Sequence, residues 1–298
     1  MSLITRIVDK FHFIEKLPKK VANPLLKLII ISDDLFWKFR ILLTTLIIGK
    51  KNKVGKALSE LKDTGFTIIP KIYSENQISK IKEECIRQLD DLPFDKLNTG
   101  EFVPNLVLEN GLRVEKLEGS IKLKGLHKIN LFFKKIGRDF STNFISLVYH
   151  LSSSKPFLVY NVTHDGSFKH PAIPEPCNTE MIAGKTHVDM SLHQLRACLV
   201  LDDINKENGP TVLYKNSMNL DLMKQNHLNL FLEQFKFKPN EGGGHLVNEN
   251  KLKFLEEKVD KIYATAKKGD LILMDLKTAH LASTLGVGQR HLLWYYYH

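Results

Sequence analysis

The succession of apolar and polar positions divides the chain into three textures. In residues 1–50, apolar runs such as Leu28-Ile29-Ile30-Ile31 and Ile41-Leu42-Leu43 are interrupted by Lys27, Asp33, Asp34, Lys38 and Arg40. Part of this segment carries a polar stripe at helical spacing (Lys27, Asp34, Lys38, Thr45), which predicts amphipathic helices, two of them, broken near Pro18 and Pro24. A helix over 55–63 and a short strand at Gly65–Pro70 come next. Ser74-x-x-Gln77 then forms a capping box that opens a helix running to about Leu89. Residues 93–125 show no decisive period, and 127–151 reads as helical.

After Pro156 the pattern changes to short β-branched and aromatic runs at 156–163, 195–203, 211–214, 261–267, 270–275 and 290–297. Asn208-Gly209-Pro210 and Lys268-Gly269-Asp270 are turn signals between them. Residues 219–260 read as a charged helical insertion, interrupted by Gly242-Gly243-Gly244, that would serve as a lid or as a plain embellishment. Helices first and strands later predict an α+β chain whose second half is a sandwich or closed barrel.

Composition adds boundaries. The chain has 298 residues, 43% hydrophobic and 26% charged, as expected for a globular protein with a sizeable core. The net charge of +10 is uneven: residues 1–56 hold twelve Lys or Arg against four Asp or Glu, a net +8, and the other 242 residues carry only +2. A basic arm (1–55) therefore precedes a nearly neutral domain (56–298), and no basic stripe on that domain invites nucleic acid. No secretory leader is expected. The arm does not read as a spanning helix either, because each buried Lys, Arg or Asp would cost about 2.5–3.5 kcal/mol at the bilayer centre. Three destinations stay open for it: a helical cap on the domain, a peripheral membrane helix inserting Phe36, Trp37 and Phe39, or a partner-docking helix. Three cysteines (Cys85, Cys177, Cys198) with no C-x-x-C spacing argue against a disulfide framework and for a reducing, cytoplasmic compartment.

Candidate chemistry centres on Thr186-His187-Val188-Asp189. On an extended backbone, residues two apart project to one side, so His187 and Asp189 offer an imidazole and a carboxylate to the same point. A third ligand must come from elsewhere, and His280, which follows a predicted strand 93 residues downstream, is the candidate. Two His and one carboxylate on one face suit non-haem Fe(II) and oxygen chemistry. Arg290, ten residues further on, opens the last strand with a planar fork suited to a dicarboxylate; an ordinary ion pair is the alternative. Leu292, Trp294 and Tyr296 share its face by alternation, as core filling or pocket lining. Asn161 is a weaker candidate for the same pocket. His164, His170, His193 and His245 have no partner at a telling spacing and read as surface or loop residues.

His187-Val188-Asp189, then Leu201-Asp202-Asp203-Ile204-x-x-Glu207-Asn208-Gly209-Pro210, then Gly269-Asp270, His280 and Arg290, together resemble the phytanoyl-CoA dioxygenase family. The resemblance extends over roughly residues 57–297. It implies a double-stranded β-helix (a jelly-roll, cupin-like barrel) with helices packed outside. It also implies Fe(II) on His187, Asp189 and His280, the distal carboxylate of 2-oxoglutarate on Arg290, and O2 as oxidant. The chain departs from the family after the Asn-Gly-Pro turn, where Lys215-Asn216-Ser217-Met218 replaces a Pro-Gly-Ser-His segment, and Ala282-Ser283-Thr284 matches only loosely. A CoA thioester is therefore not implied; a small molecule, lipid or glycan-like compound is the expected substrate. Asp189 favours hydroxylation over halogenation, because a halogenase needs a small residue there. The rivals are a non-catalytic metal-binding jelly roll at a membrane and a cupin-type metal hydrolase or isomerase.

Overall fold

A computed structural model describes residues 19–49, 52–94, 106–117, 119–140, 156–176, 184–190, 192–234, 245–283 and 285–296. The first helix, α1 (Lys19–Ile48), is continuous. The break expected at Pro24 does not occur: a proline this close to the start of a long helix forfeits a single backbone bond near its N-terminal end. Pro18 lies outside the described residues. Helix α2 (Lys53–Thr64) starts where the Asn52 side chain accepts from the Val54 amide. It ends at Gly65, whose φ of 87° lies in the left-handed region, and a Cβ there would overlap the Thr278 side chain. Only glycine lets the chain turn here into β1 (Phe66–Ile69) while touching Thr278, two residues before His280. Helix α3 (Glu75–Asp90) opens with the expected reciprocal Ser74–Gln77 capping box.

The stretch without a readable period contains β2 (Leu106–Val107) and the hairpin β3 (Arg113–Leu117) and β4 (Ser120–Lys124). Short helices α4 (Leu126–Ile129) and α5 (Leu131–Phe140) follow, and residues 141–155 lie outside the described residues. The strand-rich half comprises β5 (Phe157–His164), β6 (His187–Val188), β7 (Leu195–Val200), β8 (Thr211–Tyr214) and, after a helical insertion, four more. The insertion holds α6 (Asp221–Gln234), β9 (His245–Leu246) and α7 (Glu249–Lys258); its triple glycine lies outside the described residues. Then come β10 (Lys261–Tyr263), β11 (Leu271–Asp275), β12 (His280–Ala282) and β13 (Gln289–Tyr296).

The strands form two antiparallel sheets, ordered β1-β11-β7-β13-β5-β4-β3-β2 and β10-β8-β12-β6-β9. With its helices the chain is α+β, as its pattern predicts. One face of the large sheet (Leu199, Leu271, Leu293, Tyr160) packs beneath Leu58, Leu61, Ile78, Ile81 and Cys85 of α2 and α3. The opposite face (Cys198, Val200, Ile272, Met274, Leu292) packs with Leu213 and Ile262 of the small sheet. With both faces covered, β11 is buried at every position and reads as an unbroken apolar run ending in Asp275. From β5 to β8 the chain alternates between the two sheets, and it does so again from β10 to β13. That alternation brings β6 and β12 together, with His187 directly opposite His280.

Candidate metal centre

His187, Asp189 and His280 offer ligand atoms that all lie within 4.8 Å of one another. Each imidazole is oriented by its own backbone. The Nδ1–H of His187 donates to the Lys185 carbonyl at 2.7 Å, and that of His280 to the Thr278 carbonyl at 2.8 Å. A carbonyl only accepts, so both rings carry a proton on Nδ1 and turn Nε2 toward Asp189. The Nε2 of His187 is 3.6 Å from Asp189 Oδ1, and that of His280 is 3.5 Å from Asp189 Oδ2. Asp189 is held in place through its amide, which donates to the Leu276 carbonyl at 3.1 Å. Two imidazoles and a carboxylate converging in this way fit a divalent cation: ligand atoms bound to one metal stand about 3 Å apart, a few tenths of an ångström closer than the two His–Asp separations.

The electrostatics agree. Burial pushes the pKa of His187 down, and the neighbouring His280 adds to the shift, so its ring is neutral when a metal needs its lone pair. Burial opposes the charged form of Asp189, but Arg196 and the two imidazoles outweigh it and hold the carboxyl well below the usual range. Arg196 Nη1 is 2.5 Å from Asp189 Oδ2, and its guanidinium lies 4.2 Å from the Tyr296 ring centroid and 5.9 Å from that of Trp294. Sequence reasoning missed Arg196. The signal was there: on β7 it alternates onto the same face as Cys198 and Val200, and it stands opposite Tyr296.

Arg290 opens β13 opposite Thr163, which in turn stands opposite Ser120 of β4. The Ser120 and Thr163 hydroxyls are 3.1 Å apart, and Asn161 Nδ2 donates to Ser120 Oγ at 3.1 Å. Arg290 therefore lies at the end of a polar row on the face that packs toward the small sheet. Gly209, with φ 75°, closes against it: a Cβ there would lie 3.2 Å from Arg290 Nη1 and 3.2 Å from the Ser283 carbonyl. The Asn-Gly-Pro turn thus needs its glycine to reach the guanidinium.

Of the other candidate histidines, His164, His170 and His193 are not surface residues. His164 and His170 are buried, the former bonded to the Ile173 carbonyl at 2.9 Å and the latter to Asp90 at 2.9 Å. His193 bridges Asp275 and Asp34, while its amide donates to Asp33 at 2.7 Å. Lys277 Nζ donates to Asp34 at 2.6 Å, and Trp37 stacks on the His193 ring. Spacing could not reveal this, because the partners of His193 lie 82 to 160 residues away along the chain. His245 has no described side chain.

Solved structures with the same architecture place this geometry in context. The epimerase SnoN, crystallised with Fe3+, alpha ketoglutarate and nogalamycin RO, superposes with a TM-score of 0.51 at 11% identity, over 81% of this chain and 82% of its own. EctD from S. alaskensis with bound Fe gives 0.50 at 12%, over 80% and 73%. The chain has the fold of these enzymes. No family model and no curated protein sequence matches it.

Proposed function

We propose that this chain is a non-haem Fe(II) oxygenase that uses 2-oxoglutarate and O2 to hydroxylate a small-molecule, lipid or glycan-like substrate. The observation that carries the reading is the pair of imidazoles, each locked through Nδ1, facing a single carboxylate across two paired strands. The alternation of the chain between its two sheets supports a double-stranded β-helix, and the ordered motifs resemble the phytanoyl-CoA dioxygenase family. The free, buried thiols of Cys85 and Cys198 support a reducing compartment; Cys177 lies outside the described residues.

His187, Asp189 and His280 hold the metal on one face, leaving the opposite face open for cosubstrate and oxidant. Fe(II) held there would activate O2, the oxidant: 2-oxoglutarate would be oxidatively decarboxylated to succinate and CO2, one oxygen atom entering succinate and the other a substrate C–H bond. Arg290 grips the distal carboxylate of 2-oxoglutarate with its fork, and the hydroxyls of Thr163 and Ser120 make that end of the cavity polar. Arg196 orients Asp189 from behind. Met190 and Trp294, packed against the inter-sheet core, keep the surroundings apolar and limit water.

The test is uncoupled turnover: Fe(II), 2-oxoglutarate and air should yield succinate without an added substrate, and anaerobic mixing should give a weak visible charge-transfer band. His187→Ala should abolish both. Arg290→Ala should keep the metal and raise the KM for 2-oxoglutarate at least about tenfold, the cost of a lost charge-assisted bond. Bound iron with no succinate would favour a scaffold, and a fully active Arg290→Ala enzyme would favour a cupin-type hydrolase.

A further inference from the structure

Helix α1 is docked with its apolar side outward. Toward the domain it turns Asp33, Trp37, Arg40, Ile41, Thr44 and Thr45, all buried. Away from it stand Leu28, Ile31, Leu35, Phe39, Leu42 and Leu46, spaced three or four residues apart, with Leu43 and Ile47 beside them. These eight side chains are between 45% and 68% exposed, an unbroken stripe five turns long. The membrane contact expected from the sequence used other residues: Trp37 is buried on His193, Phe36 lies under Arg40, and only Phe39 faces out.

Charge selects what covers the stripe. The two carboxylates of the helix, Asp33 and Asp34, are directed inward to His193 and Lys277. Lys27 and Lys38 are exposed, and three helical turns apart they border the stripe on one flank. The sequence adds Lys19 and Lys20 at the start of the helix and Lys50, Lys51, Lys53 and Lys56 beyond its end. A second copy of this helix would offer no carboxylate to Lys27 and Lys38, whereas anionic headgroups answer both. Nor is any described helix long and apolar enough to cross a bilayer.

We infer that the outward face of α1 seats the protein on an anionic membrane surface, with the Leu28–Ile47 stripe among the acyl chains and the flanking lysines at the headgroups. The inference rests on the helix face alone and is independent of the oxygenase reading. It is tested with the full-length chain and vesicles of phosphatidylcholine with and without phosphatidylglycerol, read by flotation. The wild type should float with the phosphatidylglycerol vesicles. The triple variant Leu35→Asp/Phe39→Asp/Leu42→Asp, whose positions are solvent-facing, should lose flotation and keep its melting temperature. Lys27→Glu/Lys38→Glu should weaken binding to the anionic vesicles by at least about tenfold, at about 1 kcal/mol per cation near the surface, and should show steeper salt sensitivity than wild type in neither vesicle type. No flotation of the wild type, or equal flotation of the triple variant, overturns the inference. A concentration-dependent dimer that the triple variant dissolves, without vesicle binding, overturns it in favour of a second copy. Flotation that appears only after removal of residues 1–18 overturns it in favour of that segment as the cover.

Discussion

Asp189 Oδ2 faces both the Arg196 guanidinium and the His280 imidazole, and Oδ1 faces His187, so Arg196 and a cation compete for the same carboxylate. Without metal, the guanidinium is the main counter-charge of a buried Asp. Arg196→Met removes it and leaves the carboxylate uncompensated, which should destabilise the metal-free protein by about 3–5 kcal/mol. A divalent ion would then replace the missing charge. The expected outcome is a lower apo melting temperature and a larger gain on adding Ni(II) than in wild type, measured by differential scanning fluorimetry. An equal gain in both proteins would mean that Arg196 and the metal do not share Asp189. The convergence of His187, Asp189 and His280 was legible because it rests on local rules: two residues apart on extended chain, and a His after a strand. Arg196 was not, because its role depends on which loop lies across β7, and His193 was not, because its carboxylate partners come from α1 and β11.

Element boundaries followed the period wherever an element had one buried and one open face, or was buried throughout: β8 and the capped helix α3 fall where the pattern put them. The hairpin β3–β4 did not, since it alternates Lys, Arg and Glu with Val, Ile and Leu over only five residues per strand. For α1 the period gave an amphipathic helix but not its orientation, and the usual assumption that the apolar face turns inward fails. What holds it instead is the network of His193 with Asp33, Asp34, Asp275 and Lys277. Burial alone would lower the imidazole pKa of His193; Asp275 outweighs it against the opposition of Lys277, and the pKa is raised. Its contribution to docking is therefore complete below the unfolded value of about 6.5 and is lost as pH rises through the higher folded value. Asp34 has the opposite sign: burial would raise it, but His193 and Lys277 hold it low, so its contribution holds above about 3.9 and fades only as pH falls through the depressed value. Hydrogen exchange of residues 30–45, corrected for intrinsic rate and referenced to α3, should accelerate on the alkaline side. His193→Ala should remove that dependence and weaken docking by about 3–5 kcal/mol. Exchange indifferent to both would assign the docking to Trp37 and Ile41 alone.

At the scale of the molecule, the arm and the domain share one core. Trp37 and Ile41 are buried in the cluster that contains Leu58, Ile78, Leu199 and Leu271. The network beneath them also grips the two segments that carry the candidate metal ligands, since His193 follows Asp189 by four residues and Lys277 precedes His280 by three. A helical cap on the domain was one of the three destinations the sequence left open for the arm; which residues make the shared core was not legible, because it depends on contacts between distant parts of the chain. A detachable anchor would make the opposite prediction from a shared core, and truncation separates them. Removing residues 1–50 deletes the buried side chains of Ile30, Trp37 and Ile41, about 1.5–3 kcal/mol each, and leaves His193, Asp275 and Lys277 without Asp33 and Asp34. The truncated chain should melt roughly 10 °C or more below the full-length protein, at about 2–4 °C per kcal/mol. It should also bind Ni(II) more weakly at temperatures where circular dichroism shows it folded, because the segments flanking Asp189 and His280 lose their common support. An unchanged melting point with unchanged metal affinity would show that α1 only tethers the protein, and that the ligand segments hold their geometry without it.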